Sequence, residues 1–111
     1  MTEEKPAAKP GPTLNNAQKK HLRGLGHHLE PMVMIGREGL SESVIQAVDY
    51  ALLSHELIKV KIINTSSVNK HEAAEFLPAH TSSTLVQLIG KTLLLFRRNK
   101  KRKKEEQIKL P

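Results

Sequence analysis

The chain has 111 residues, no cysteine, three aromatic residues and a formal net charge of +7. That length suits one domain, and the composition calls for an aliphatic core of Leu, Ile and Val. Without cysteine, disulfides, thiolate metal ligands and a cysteine nucleophile are excluded.

The opening MTEEKPAAKPGPT has acids and prolines where a signal peptide needs a basic start and an apolar run. Residues 1–13 show no apolar periodicity and are expected to form a disordered Pro/Ala-rich leader. The first helix is expected from about Gln18, or slightly earlier, to His27. Asn15 can cap it, with Gln18 reaching back three residues on. Leu22, Leu25 and Leu29 form its apolar stripe, and Lys19, Lys20 and Arg23 share another face. Gly24 and Gly26 either weaken this helix or mark its close packing.

Met32-Val33-Met34-Ile35 is a continuous apolar run, read as a buried strand. After the loop Gly36-Arg37-Glu38-Gly39, the residues Leu40, Val44, Ala47, Val48 and Ala51 repeat at helical spacing, with Ser41 as the cap. From Leu57 to Ile63 the pattern alternates. Ile58, Val60 and Ile62 point one way, Lys59 and Lys61 the other, so this strand has one buried and one basic face. Val68 to Ala79 reads as a third helix that Pro78 should end. Thr84 to Ile89 and Thr92 to Phe96 read as strands joined by a two-residue turn, Gly90-Lys91. Phe96 belongs in the core. The longest apolar stretch near the end, Leu93 to Phe96, is too short to cross a bilayer, and a soluble, cytoplasmic protein is expected.

The order is α-β-α-β-α-β-β, an α/β (α+β) single domain with a four-stranded mixed sheet and packed helices. Strand–helix–strand units favour parallel neighbours, and the last hairpin must be antiparallel.

The excess charge lies at the end of the chain. Residues 97–111 carry eight basic and two acidic residues, net +6, whereas residues 14–96 are net +1. Residues 98–111 read as a basic, disordered tail. The run Arg97-Arg98-Asn99-Lys100-Lys101-Arg102-Lys103-Lys104 would attract polyanions by counterion release, whatever their sequence. The plainer alternative is a solubilising tail.

Gly36-Arg37-Glu38-Gly39 is the strongest local signal. Two glycines allow close backbone approach, the following helix start offers free N–H groups, and Arg37 adds a charged donor fork. Such a GxxG loop can clamp a sugar–phosphate backbone, although two glycines so spaced often only make a turn, and Glu38 opposes an anion unless it points away. Lys19, Lys20, Arg23, Lys59 and Lys61 would form a phosphate-contacting surface if the first helix lies near the second strand. Otherwise they are solvated charges. Lys91 at the hairpin tip could join them. The scarcity of aromatic residues points to backbone- and shape-driven binding rather than base stacking.

No catalytic constellation emerges. Gly90-Lys91-Thr92 resembles the end of a phosphate-binding P-loop, but Leu85 occupies the position of the required first glycine and a strand follows where a helix should. His71-Glu72-Ala73-Ala74-Glu75 lacks the second histidine of a zinc-protease motif, and there is no GxSxG. No metal, cofactor or small-molecule substrate is expected.

Four segments, in order, resemble a known family. They are Leu14 with His21-Leu22-Arg23-Gly24-Leu25, then Ile35-Gly36-Arg37-Glu38-Gly39-Leu40, His55-Glu56-Leu57-Ile58-Lys59-Val60-Lys61, and Gln87-Leu88-Ile89-Gly90-Lys91-Thr92-Leu93-Leu94-Leu95-Phe96-Arg97. From residue 14 to 97 the chain resembles the CRM domain (chloroplast RNA splicing and ribosome maturation) in its stand-alone bacterial YhbY-type form. The resemblance implies a fold similar to the C-terminal domain of a bacterial translation initiation factor. It also implies RNA binding through the GxxG loop and basic surface, and association with precursors of the large ribosomal subunit. The leader and tail lie outside it. The sequence-level expectation is therefore a monomeric, non-enzymatic ribosome-assembly factor that binds large-subunit ribosomal RNA. Its contacts would come from the loop, the five basic residues named above, Lys91, and Arg97, Arg98, Lys100, Lys101, Arg102, Lys103 and Lys104. The alternatives are an architectural or regulatory DNA-binding protein and an adaptor docking on ribosomal proteins.

Overall fold

A computed structural model describes residues 11–111. The elements follow the expected order: α1 (Asn16–Gly26), β1 (Pro31–Ile35), α2 (Glu42–His55), β2 (Leu57–Ile62), α3 (Lys70–Thr81), β3 (Thr84–Ile89) and β4 (Thr92–Phe96). A short 3-10 turn, Lys104–Glu106, follows in the tail.

Local chemistry explains the boundaries. Asn15 accepts from the Gln18 N–H at 2.8 Å while the Gln18 side chain accepts from the Asn15 N–H at 3.0 Å, a complete capping box. At α2 and α3 only the N-cap side chain acts: Ser41 accepts from the Val44 N–H, and Asn69 from the His71 and Glu72 N–H groups. Gly90 turns the hairpin with φ +57, a conformation that favours glycine.

The strand order in the sheet is β1-β2-β4-β3. β1 runs parallel to β2, and β4 is antiparallel to both β2 and β3. The second strand–helix–strand unit therefore leaves a gap between its strands, and β4 fills it.

Alternation on β2 divides the interior in two. Ile58, Val60 and Ile62 join Val33, Ile35, Leu93 and Leu95 against Val48, Ala51 and Leu52 of α2 and Ala73 and Leu77 of α3. On the opposite face Leu57, Val86, Leu94 and Phe96 pack with Leu14 and with Leu22 of α1. Gly26 lets α1 sit close: a Cβ there would lie 2.7 Å from a Leu94 methyl.

Several expectations are corrected. The run from Met32 to Ile35 is an edge strand, not one buried on both faces: Val33 and Ile35 are buried, but Met32 and Met34 face solvent because α1 does not extend over them. Leu25 is exposed although it falls in the stripe of Leu22 and Leu29. Pro78 lies inside α3, which runs three residues beyond it to Thr81. Pro78 lacks an N–H and its ring crowds the preceding turn, but the last turn is secured by Thr81 Oγ1 donating to Leu77 O at 2.6 Å and by the Ser83 N–H reaching Pro78 O.

The leader lies mostly outside the described residues, but Gly11 and Pro12 are not loose. A Cβ at Gly11 would collide with the Ser83 backbone, and Thr84 Oγ1 donates to Pro12 O. Nor is the tail disordered. Ile108 and Leu110 pack on the second core, and the buried Glu56 carboxylate accepts from the Asn99 N–H (2.7 Å), Arg102 Nη1 (3.1 Å) and the Ile108 N–H (2.8 Å). Two apolar anchors and one buried acceptor hold what a charge-rich composition presents as a free end.

Candidate nucleic-acid interface

The topology sorts the candidate cations into three places. The loop Gly36–Gly39, Lys61 and Lys91 share the end of the sheet where β1 and β2 finish. There the Ile63 N–H bonds to Ile35 O and the Ile62 N–H to Lys91 O.

Within the loop, the Gly39 N–H donates to Gly36 O and the Ser41 N–H to Gly39 O, both at 3.0 Å. The Val44 N–H is taken by Ser41 Oγ. Three amides of the expected phosphate cradle are thus engaged within the protein, and the loop's cationic point is the exposed Arg37. Glu38 is also exposed. The two glycines are not equivalent. Gly39 has φ +71, and a Cβ would lie 3.3 Å from Val68 Cγ2. At Gly36 a Cβ would meet only Ile63 Cδ1, at an ordinary 3.6 Å.

The second place is the sheet face that carries α1. Lys59 and Lys61 lie on this face, as the alternation on β2 requires. α1 packs over β2 and β3, so the condition for a shared basic surface is met. An open groove of about 470 Å³ runs between α1 and the sheet, lined by Lys20, Arg23 and His27 from the helix side and by Lys59, Gln87 and Ile89 from the strands. Gly24 and Gly26 complete its wall, and no carboxylate lines it. Lys19 is not among the lining residues. Sequence reasoning missed Gln87, Ile89 and His27. Gln87 and Ile89 come to this face through the irregular register between Leu85 and Gln87, which a strict alternation cannot foresee.

The third place is the tail, at the opposite end of the sheet. Asn99 Nδ2 donates to Leu53 O near the end of α2, so the tail and the Gly36–Gly39 loop are separated by roughly the length of that helix, about 20 Å. Two tail cations are engaged internally. Arg97 Nη1 lies 2.7 Å from Asp49 Oδ1 and 2.6 Å from Thr81 O, and Arg102 pairs with Glu56. Arg98, Lys100, Lys101, Lys103 and Lys104 are exposed, and none forms an ion pair among the described residues.

Comparison with known proteins adds independent findings. The model of the CRS1/YhbY (CRM) domain family matches residues 14–97. A Haemophilus influenzae protein named RNA-binding protein is 40% identical over 99 residues, covering 89% of this chain and 96% of its own length. YqeI of Bacillus subtilis, also named for RNA binding, is 38% identical and covers 88% of this chain and 99% of its own. The solution structure of a Staphylococcus aureus protein described as RNA binding superposes with a TM-score of 0.72 at 38% identity, covering 89% of this chain and all of that one.

Proposed function

The chain belongs to the CRS1/YhbY (CRM) domain family, and from that membership we propose that it binds structured RNA of the large ribosomal subunit during assembly, in the cytoplasm and without bond chemistry. The observation that carries RNA binding is the gathering of Lys20, Arg23 and Lys59 around one groove lined by no carboxylate, with Lys61 two residues further along the same face of β2. At the end of that face stand Arg37 and Lys91. The names of the relatives and of the structural neighbour support the same reading. The ribosomal assignment rests on the resemblance of the loop and strand motifs to stand-alone CRM proteins.

In this reading the folded face sets position and the exposed tail lysines add affinity without sequence preference. Neutralised phosphates let RNA segments approach one another, so binding of this kind promotes assembly without bond chemistry.

Ultraviolet crosslinking in cells, with sequencing of the copurified nucleic acid, tests it. Reads concentrated on large-subunit ribosomal RNA are the expected result. Reads dispersed over messenger RNA remove the ribosome from the function, and reads on DNA replace RNA altogether.

A further inference from the structure

The groove between α1 and the sheet has features that phosphate neutralisation alone does not require. Its floor is mixed. Ile89 is 61% exposed, an unusual placement for a large apolar side chain. Beside it the Gln87 carboxamide has no hydrogen-bond partner among the described residues. The His27 imidazole supplies a flat polar wall.

Gly24 adds a second, independent sign. It lies within α1, where glycine weakens a helix relative to almost any other residue. Unlike Gly26, it is not demanded by packing: a Cβ at Gly24 would meet nothing within 4 Å, and its backbone does not adopt a positive φ. The fold gives no reason for a missing side chain there. The groove does, because Gly24 forms part of its wall and any longer residue would stand in it.

We infer that this groove receives one unpaired nucleotide of the RNA. Lys20, Arg23 and Lys59 hold its phosphates, the base lies against Ile89 and His27, and the Gln87 carboxamide bonds to the base edge. A base reaches such a pocket only when it is unstacked, so the protein selects loops, bulges and junctions over continuous duplex. This rests on the RNA-binding reading above and adds the class of RNA to it. It also amends the expectation of purely backbone-driven binding, since aliphatic and amide groups supply base contact where aromatic residues are scarce.

The test compares a hairpin RNA carrying an unpaired loop with a fully paired RNA of equal length at one fixed salt concentration. The proteins are the full chain and its Gly24→Gln and Gln87→Leu variants, with thermal melts to verify folding. The wild-type protein is expected to prefer the looped RNA by about tenfold, the scale of one well-formed base contact. Both variants should melt no lower than about the wild-type temperature, keep their duplex affinity and lose that preference. Equal binding of both RNAs by the wild-type protein, or a preference that survives in both folded variants, overturns the inference and leaves RNA binding standing. If the wild-type protein binds neither RNA better than duplex DNA, the RNA-binding reading falls and takes this inference with it.

Discussion

Glu56 accepts a hydrogen bond at 2.8 Å from the main-chain N–H of Ile108, 52 residues further along the chain. The carboxylate is buried, and the residue that carries it has φ +66, a conformation that side-chain-bearing residues rarely adopt and that costs on the order of 1–3 kcal/mol. Its two other acceptor contacts are also to the tail. Glu56 thus ends α2 and fixes the basic segment on the domain.

Replacing Glu56 with Ala should lower stability by about 2–4 kcal/mol, because two main-chain N–H groups and a guanidinium lose their acceptor together. Denaturant unfolding measures the loss. Trypsin should then cut faster at Lys100 to Lys104 in the variant, while the midsection of the domain stays resistant. Unchanged cutting would mean that Ile108 and Leu110 hold the tail without Glu56.

Arg97 should behave as a structural residue and not as an RNA contact. Its guanidinium spans Asp49 and Thr81 O, a forked geometry that lysine cannot reproduce. Arg97→Lys should cost about 1–3 kcal/mol in thermal melts with no change in the salt dependence of RNA binding. A flatter salt dependence would show the side chain on phosphate instead.

The exposed tail lysines should account for much of the salt sensitivity. Substituting Lys100, Lys101, Lys103 and Lys104 by Ala should reduce the log–log slope of affinity against salt by about 3, given a contribution of roughly 0.7–0.9 per neutralised phosphate. Deleting residues 98–111 is a poorer probe, since it also strips Ile108 and Leu110 from the core and all three partners from Glu56. An unchanged slope in the fourfold variant would remove the tail from the interface.

The two loop glycines should part company on substitution. Gly36→Ala should fold with wild-type stability, since the added methyl finds ordinary contact space, and serves as the clean probe of RNA approach to the loop. Gly39→Ala should cost about 1–2 kcal/mol from the left-handed backbone, aggravated by the close Val68 methyl. Equal melting temperatures for the two would contradict this description of the turn.

Much of the fold was legible because its signals are local. The capping box at Asn15, the alternation from Leu57 to Ile63 and the turn at Gly90 each depend on a few neighbouring residues. What stayed hidden depends on contacts distant in sequence. Nothing in residues 84–96 says that β4 enters between β2 and β3 rather than at an edge. Glu56 reads as one more acid near a helix end, and Ile108 and Leu110 have no periodic partners, so the packed tail was invisible among its lysines. For the site, Lys20 and Arg23 were found by charge and helical spacing and Lys59 by strand alternation. Gln87 carries no charge and Gly24 no side chain, and only their position in the groove marks them.

The central placement of β4 has a further consequence, for the order of events during synthesis. β2 and β3 are made first but do not touch, and the gap between them is filled only when residues 92–96 arrive. Up to that point a nascent chain has the parallel pair β1–β2, an unattached third strand, and apolar faces with nothing to close them. Residues 14–89 alone leave β3 without a strand partner, so closure of the sheet waits on β4. The groove's strand walls, β2 with Lys59 and β3 with Gln87 and Ile89, are joined in the sheet only through β4, so the RNA-facing groove is complete only when the chain nearly is.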